Sequence, residues 1–295
     1  MELGFIGTGV MGKAIVGHLL SSGHAVHVYN RTKSKTDELV EKGAVWQDSP
    51  AKVAENAEVT FTMVGYPNDV EEIYYKENGI FTVSVQDKVF VDLTTSTPTL
   101  AKRIQQTAEE KGADALDAPV SGGDLGAKNA TLTLMVGGNK STYEKVVPLF
   151  GIMGKTFSLH GEAGSGQHTK MANQIMVAGT MIGMSEMLAY AQKAGLDLQQ
   201  VLKTLGGGAA ENWSMMNYVP RILNEDYSPG FFVKHFIKDL KIVLDEAKKM
   251  DLELPGTKLA EQLYQQLAKA GYENDGTQAL IKLWWPEGKA DFDKN

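Results

Sequence analysis

Leu3-Gly4-Phe5-Ile6 is a short apolar run, Gly7-Thr8-Gly9-Val10-Met11-Gly12 follows it, and Ile15, Leu19 and Leu20 then recur at helical spacing before Ser21-Ser22-Gly23. A G-x-G-x-x-G segment set between a strand and a helix leaves a chain little choice of fold. The first glycine makes the turn, the second admits a pyrophosphate, and the third lets the helix lie close to the strand. The helix N-terminus offers its unpaired N–H groups to phosphate. The expectation is a dinucleotide-binding α/β unit contacted through Gly7, Thr8, Gly9, Val10, Met11 and Gly12.

A second strand, 24–29, ends at Asn30-Arg31-Thr32, with Lys33 and Lys35 just beyond. A site specific for NAD usually places Asp or Glu at this strand end to hold the ribose 2′-hydroxyl, whereas Arg suits a 2′-phosphate. Arg31 can stack on adenine and bond phosphate through two N–H groups, with Asn30 and Thr32 as neutral donors. NADP is therefore the expected cofactor, with NAD possible, and Asn30, Arg31, Thr32 and Lys35 are its expected contacts. A solvated basic turn is the alternative.

The α/β alternation continues with helices near 33–42 and 50–56, a strand over 58–64, a strand over 89–93, a helix over 99–111 and a strand over 113–117. Ligands of open parallel sheets lie beyond the carboxyl ends of the strands, which puts Met63, Val64, Thr94 and Thr95 beside the nicotinamide. Helix capping explains the two hydroxyls equally well. After Asp117, Ser121-Gly122-Gly123 can present successive N–H groups and a hydroxyl as a concave anion nest, or be a tight turn. A strand over 131–136, a helix over 142–150 and a strand over 155–159 complete this half.

From Gly164 a run without Pro reaches Lys193, long enough for one helix of about 45 Å. Gln167, Lys170, Asn173, Gln174 and Val177 share one side of it, and Met171, Ile175, Ala178, Met181 and Ile182 form an apolar face. Beyond it only helical periodicity remains, in segments near 198–205, 213–223, 233–250, 257–269 and 277–284. The fold class is thus α/β: a Rossmann-type doubly wound, mostly parallel sheet followed by an all-α C-terminal domain, joined by a long interdomain helix. The domains read as 1–161 for nucleotide binding and 162–286 for the helical domain, with a polar tail over 287–295 and a cleft at the junction. Lys238, on an otherwise apolar helix, is a candidate to close over cofactor or substrate, or to pair with a surface carboxylate. Trp213 and Phe231 are candidates to line the pocket, Phe231 as a cofactor contact, although aromatic residues at this spacing are more often core.

The net charge of −7 argues against nucleic acid as a partner, so positive charge for an anionic ligand must be gathered locally. Cysteine is absent, which excludes disulfides and thiolate chemistry, and six histidines without ligand spacing argue against a metal site. No stretch approaches a membrane span and no leader precedes the first strand, so a cytoplasmic protein is expected. The apolar content of the long helix suggests at least a homodimer, or a homotetramer.

These motifs resemble the β-hydroxyacid dehydrogenase family, which includes 3-hydroxyisobutyrate dehydrogenases, tartronate semialdehyde reductases and glyoxylate/succinic semialdehyde reductases. Four segments in family order carry the likeness: Gly4 to Gly12, Asp117 to Gly126, Gly164 to Gln174, and Lys238-Asp239-Leu240. The resemblance implies that Lys170 is the general acid/base and that Ser121, Gly122, Gly123 and Asn173 bind a small carboxylate-bearing substrate, with Gln174 beside them. It also implies that Thr95 and Lys238 contact cofactor or substrate, and Asn30-Arg31-Thr32 looks like the NADP-using members. Three positions depart from the pattern. Gln174 stands where a second Asn is common, Ala130 where Gly is common, and Gly65-Tyr66-Pro67 where Leu-Pro is usual. The related 6-phosphogluconate dehydrogenases carry a longer helical region, and imine reductases lack the lysine.

The activity so implied is reversible hydride transfer between nicotinamide and the hydroxyl-bearing carbon of a β-hydroxyacid or its semialdehyde. A free lysine is a weak base at neutral pH, with a reference pKa near 10.4, so burial and the like charge of Lys238 are expected to lower that of Lys170. The rival reading is a catalytically silent NADP-binding sensor or scaffold on the same fold.

Overall fold

The computed structural model describes residues 1–285, so the polar tail expected over 287–295 lies outside the described residues. In chain order the first unit contains β1 (Glu2–Ile6), α1 (Val10–Ser21), β2 (Ala25–Tyr29), α2 (Asp37–Glu41), β3 (Val45–Trp46), α3 (Pro50–Asn56), β4 (Val59–Thr62) and α4 (Pro67–Tyr75). It continues with β5 (Val89–Asp92), α5 (Pro98–Glu110), β6 (Asp114–Asp117), β7 (Val120–Ser121), α6 (Gly123–Lys128), β8 (Leu132–Gly138), α7 (Lys140–Met153) and β9 (Gly154–Leu159). The strands form one sheet in the order β3-β2-β1-β4-β5-β6-β8-β7, with β9 paired to β8. Strands β1 to β6 are parallel, β8 runs antiparallel to β6 and β7, and β9 is parallel to β8. The order reverses at β1/β4, the point where open α/β sheets hold their ligands.

Why these segments are strands is visible in their alternation. Phe5, Phe61 and Val91 enter one buried apolar cluster, while their neighbours Ile6 and Phe90 enter another. Successive side chains of a strand point to opposite faces, so a run apolar at every position is covered on both sides. Phe5 and Phe61 stack with ring centroids 6.1 Å apart across β1 and β4. Each fully buried Phe contributes roughly 2–3 kcal/mol of transfer free energy. The helices start where the chain supplies caps: Ser49 accepts Lys52 N–H ahead of α3, and Thr97 accepts Leu100 N–H ahead of α5, each followed by Pro at the first turn.

The next element is α8 (Ser165–Lys193), 29 residues in one helix. The chain divides into compact units at Lys170/Met171, within α8 and nine residues beyond the boundary expected from the change of pattern at 161/162. The first turns of α8 are built into the first unit by contacts described below. The second unit holds the rest of α8, then α9 (Leu198–Leu205), α10 (Trp213–Leu223), α11 (Val233–Lys249), α12 (Pro255–Leu267) and a 3-10 turn at Thr277–Leu283. Its core gathers Met181, Leu188, Val219, Phe236, Leu240 and Tyr264, with Phe236 meeting Tyr264 edge-on at 4.9 Å. Among the described residues, no helix is long and apolar enough to cross a membrane.

Candidate active site

The loop between β1 and α1 is shaped by its glycines. Gly7 has φ +101°, and a Cβ there would stand 2.1 Å from the Met63 carbonyl oxygen; one at Gly12 would stand 2.0 Å from that of Gly7. At Gly9 nothing lies within 4 Å, so the backbone is open there. Helix α1 begins without a side-chain cap, which leaves its first N–H groups for an anion. This is the arrangement a dinucleotide pyrophosphate needs.

Thr8 N–H donates to Asn30 Oδ1 at 3.1 Å, Thr8 Oγ1 donates to the Lys35 carbonyl at 3.2 Å, and Asn30 Nδ2 donates to the Thr32 carbonyl at 2.9 Å. The glycine loop and the end of β2 are thus one hydrogen-bonded unit. Arg31 projects with 81% of its side chain exposed, and its NH1 lies 3.3 Å from Asp69 Oδ1. Val64 N–H donates to Thr94 Oγ1 at 3.0 Å, which joins the loops after β4 and β5, and Thr95 is half-buried beside it.

Asp92 and Asp117, adjacent in the β5/β6 register, close their strands with buried carboxylates. Asp92 Oδ1 accepts from Thr62 Oγ1 at 2.8 Å and from Thr94 N–H at 3.1 Å. Burial nevertheless pushes its carboxyl up to about 6. Asp117 accepts the Gly164 N–H and the Gln167 N–H, both at 2.8 Å, and so holds the start of α8. Burial also raises its carboxyl, while these N–H donors oppose the rise. Gln167 is fully buried; its Nε2 donates to the Thr94 carbonyl at 2.8 Å and its Oε1 accepts Ser96 N–H at 2.9 Å. The helix start is therefore tied both to the end of β6 and to the loop after β5. Gly166 permits the approach: a Cβ there would meet the Met135 and Asp117 carbonyl oxygens at 2.4 and 2.5 Å.

One turn further along, Lys170 is only 6% exposed and its Nζ donates to the Val120 carbonyl at 2.8 Å. Val120 directly precedes Ser121-Gly122-Gly123, where Gly122 has φ +123° and caps the short helix α6. The first unit thus brings Lys170 to the head of the serine-glycine loop.

In the second unit, Asn173 Nδ2 donates to Gln174 Oε1 at 2.7 Å, and Gln174 Nε2 donates to Asp239 Oδ2 at 2.6 Å. Lys238 Nζ lies 2.8 Å from Asp239 Oδ1. Phe231 is half-buried and meets Phe236 at 5.6 Å, on the rim of the helical core, whereas Trp213 is 54% exposed.

Residues 2–161 match the family model for the NAD binding domain of 6-phosphogluconate dehydrogenase. Residues 164–284 match that for the NAD-binding domain of NADP-dependent 3-hydroxyisobutyrate dehydrogenase. The chain belongs to the β-hydroxyacid dehydrogenase family. It is 52% identical to the uncharacterized oxidoreductase YkwC of Bacillus subtilis (strain 168), over 96% of this chain and 98% of that one. It is 38% identical to the 2-hydroxy-3-oxopropionate reductase of Escherichia coli (strain K12), over 96% of each. The structure of Mycobacterium tuberculosis 3-hydroxyisobutyrate dehydrogenase with L-serine superposes with TM-score 0.87 at 28% identity, over 96% of this chain and 98% of that one. This β-hydroxyacid dehydrogenase is accordingly an NAD(P)-dependent oxidoreductase of the hydroxyacid-acting kind.

Three residues of this dehydrogenase escape a reading by motif: Asp117, Gln167 and Asp239. Each lies within a quoted segment, but each acts on the backbone or on another side chain.

Proposed function

We propose that the enzyme interconverts a small β-hydroxyacid and its semialdehyde or oxo acid, with NADP as the preferred cofactor and Lys170 as general acid/base. The observation that carries this reading is the buried Lys170 ammonium bonded to the Val120 carbonyl, immediately before Ser121-Gly122-Gly123. The ammonium carried by α8 and the serine-glycine loop meet at Val120. Ser121, Gly122 and Gly123 hold the substrate carboxylate, and Asn173 and Gln174 complete the substrate side.

The open Gly9 backbone and the uncapped start of α1 fit a pyrophosphate, with Gly7 to Gly12 as its cradle. Asn30, Arg31, Thr32 and Lys35 receive the adenosine end; Met63, Val64, Thr95, Phe231 and Lys238 receive the rest. The bound nicotinamide supplies or accepts the hydride. Lys170 takes the proton of the substrate hydroxyl during oxidation and returns it to the carbonyl oxygen during reduction. Held by Val120, the ammonium has a fixed position from which to do so.

The enzyme acts as a homodimer or homotetramer in this reading. Met176 and Tyr190 on α8 are 68% and 76% exposed, and Gly179 and Gly183 have nothing within 4 Å of an added Cβ. Glycines in a helix weaken it unless something approaches closely. A groove of about 690 Å³ lined by Gly183, Met187, Tyr190 and Leu205 continues this surface.

The test is NADPH oxidation with glyoxylate, succinic semialdehyde and methylmalonate semialdehyde, and the reverse reaction on 3-hydroxyacids. Turnover of at least one pair in both directions is expected. Tight NADPH binding with no turnover of any of them would point to the silent-scaffold reading and overturn this one.

A further inference from the structure

Gln174 is 2% exposed and Asp239 1% exposed, so both polar groups depend on each other rather than on water. Asp239 Oδ1 lies 2.8 Å from Lys238 Nζ, and a carboxylate in an ion pair offers only acceptors. Gln174 must then turn its Nε2 toward Asp239, as it does at 2.6 Å, which leaves Oε1 on its far edge. That oxygen must receive a donor, and Asn173 Nδ2 supplies it at 2.7 Å. That bond takes one hydrogen of Asn173 Nδ2, so the oxygen of the same carboxamide cannot be the atom turned to Gln174.

We propose that Asp239 and Gln174 are positioning residues that fix the direction of the Asn173 carboxamide, so that Asn173 offers its oxygen to a substrate hydroxyl. The direction is set by one charge and passed along two amides. Either amide alone could bind in two orientations; the carboxylate at the end removes that freedom. Gln174 thus serves the substrate through Asn173. This rests on the reading of Asn173 as a substrate contact.

The test uses the full-length enzyme with whichever of glyoxylate, succinic semialdehyde and methylmalonate semialdehyde it reduces fastest. Asp239→Asn lets the relay bind either way round. The double variant, Gln174→Glu with Asp239→Asn, moves the carboxylate to position 174, where it accepts from Asn173 and from the amide at 239, at unchanged total charge. Asp239→Asn should raise KM by roughly tenfold or more while kcat and NADPH affinity stay within about threefold, and adding Gln174→Glu, whose carboxylate accepts from Asn173 and from the new amide alike, should return KM to within about threefold of the parent. A merely structural loss would not be repaired by adding the second substitution. A double variant no better than Asp239→Asn overturns the relay. Should Asp239→Asn not yield soluble protein, Gln174→Met keeps the volume and removes both bonds, and an ordinary KM in it overturns the relay as well. Asn173→Ala separates the two ideas: an ordinary KM there overturns the reading of Asn173 and this proposal with it. A raised KM in Asn173→Ala beside an ordinary KM in Asp239→Asn overturns the relay alone.

Discussion

Asp117 accepts the main-chain N–H of Gln167 at 2.8 Å, so the last residue of a sheet strand caps the helix that carries Lys170. Its other oxygen takes the Gly164 N–H. A carboxylate at a helix start answers both the unpaired donors and the positive end of the helix dipole. Asp117→Ala leaves two buried N–H groups unpaired and should lower stability by about 2–4 kcal/mol, read as a lower denaturation midpoint. Asp117→Asn keeps one acceptor and should lose roughly half as much.

Lys170→Ala removes the proposed proton carrier without touching the glycine loop of β1 and α1. Turnover should fall by at least about 100-fold, while NADPH affinity measured by fluorescence stays within about threefold. Ordinary turnover in this variant would reject the role.

Arg31 is the residue on which cofactor choice is expected to turn. Arg31→Ala should weaken NADPH by roughly 10- to 100-fold and leave NADH nearly unchanged, because only the former presents a 2′-phosphate to a guanidinium. Titration of both cofactors against both proteins decides the matter; equal losses would remove the basis for preferring NADP.

Ala130 sits at φ +52°, in the left-handed region, just after α6 and before β8. The turn is closed by Thr131 N–H on the Gly126 carbonyl at 2.8 Å. A Cβ is strained there, so Ala130→Gly should stabilise the fold by about 0.5–1 kcal/mol net of the extra freedom of the unfolded chain. Thermal denaturation of the two proteins is the measurement.

Asp92 should make stability fall as pH rises. Its folded carboxyl titrates at about 6, above its value of 3.8 when unperturbed. The protonated form is favoured by folding, so its contribution is complete below about pH 4 and is lost through pH 6, by up to about 3 kcal/mol. Asp92→Asn mimics the protonated group and keeps an acceptor for Thr62 and Thr94. Its stability relative to the parent should therefore increase across this range, as followed by melting at successive pH values.

The parallel half of the fold was legible because its strands are apolar at every position and its glycines sit where a turn and a phosphate require them. The helices of the second unit were legible from periodicity, with bounds close to those observed at Leu198–Leu205 and Trp213–Leu223. Short pieces were not: β3 (Val45–Trp46), β7 (Val120–Ser121) and α6 exist through pairing and turns that depend on distant residues. Within the site, Lys170 and the serine-glycine loop stood out by residue type. Gln167 was placed with them on one side of the helix, but its partners Thr94 and Ser96 lie some seventy positions away, and no local pattern encodes that contact. Gln174 appeared as a departure from a common Asn; the partner that makes sense of its extra methylene, Asp239, lies on another helix.

The bare backbone at Gly166, seated against Met135 and Asp117, bears on how enzymes of this kind can be recombined. A chimera whose crossover falls between β9 and α8 would pair one parent's carboxylate with another parent's amides and crowd any side chain introduced at that glycine. Moving the crossover past Lys170 keeps these seven or so residues with the sheet that shaped them. The natural unit of exchange is then a first half that runs on through Lys170, the proposed proton carrier.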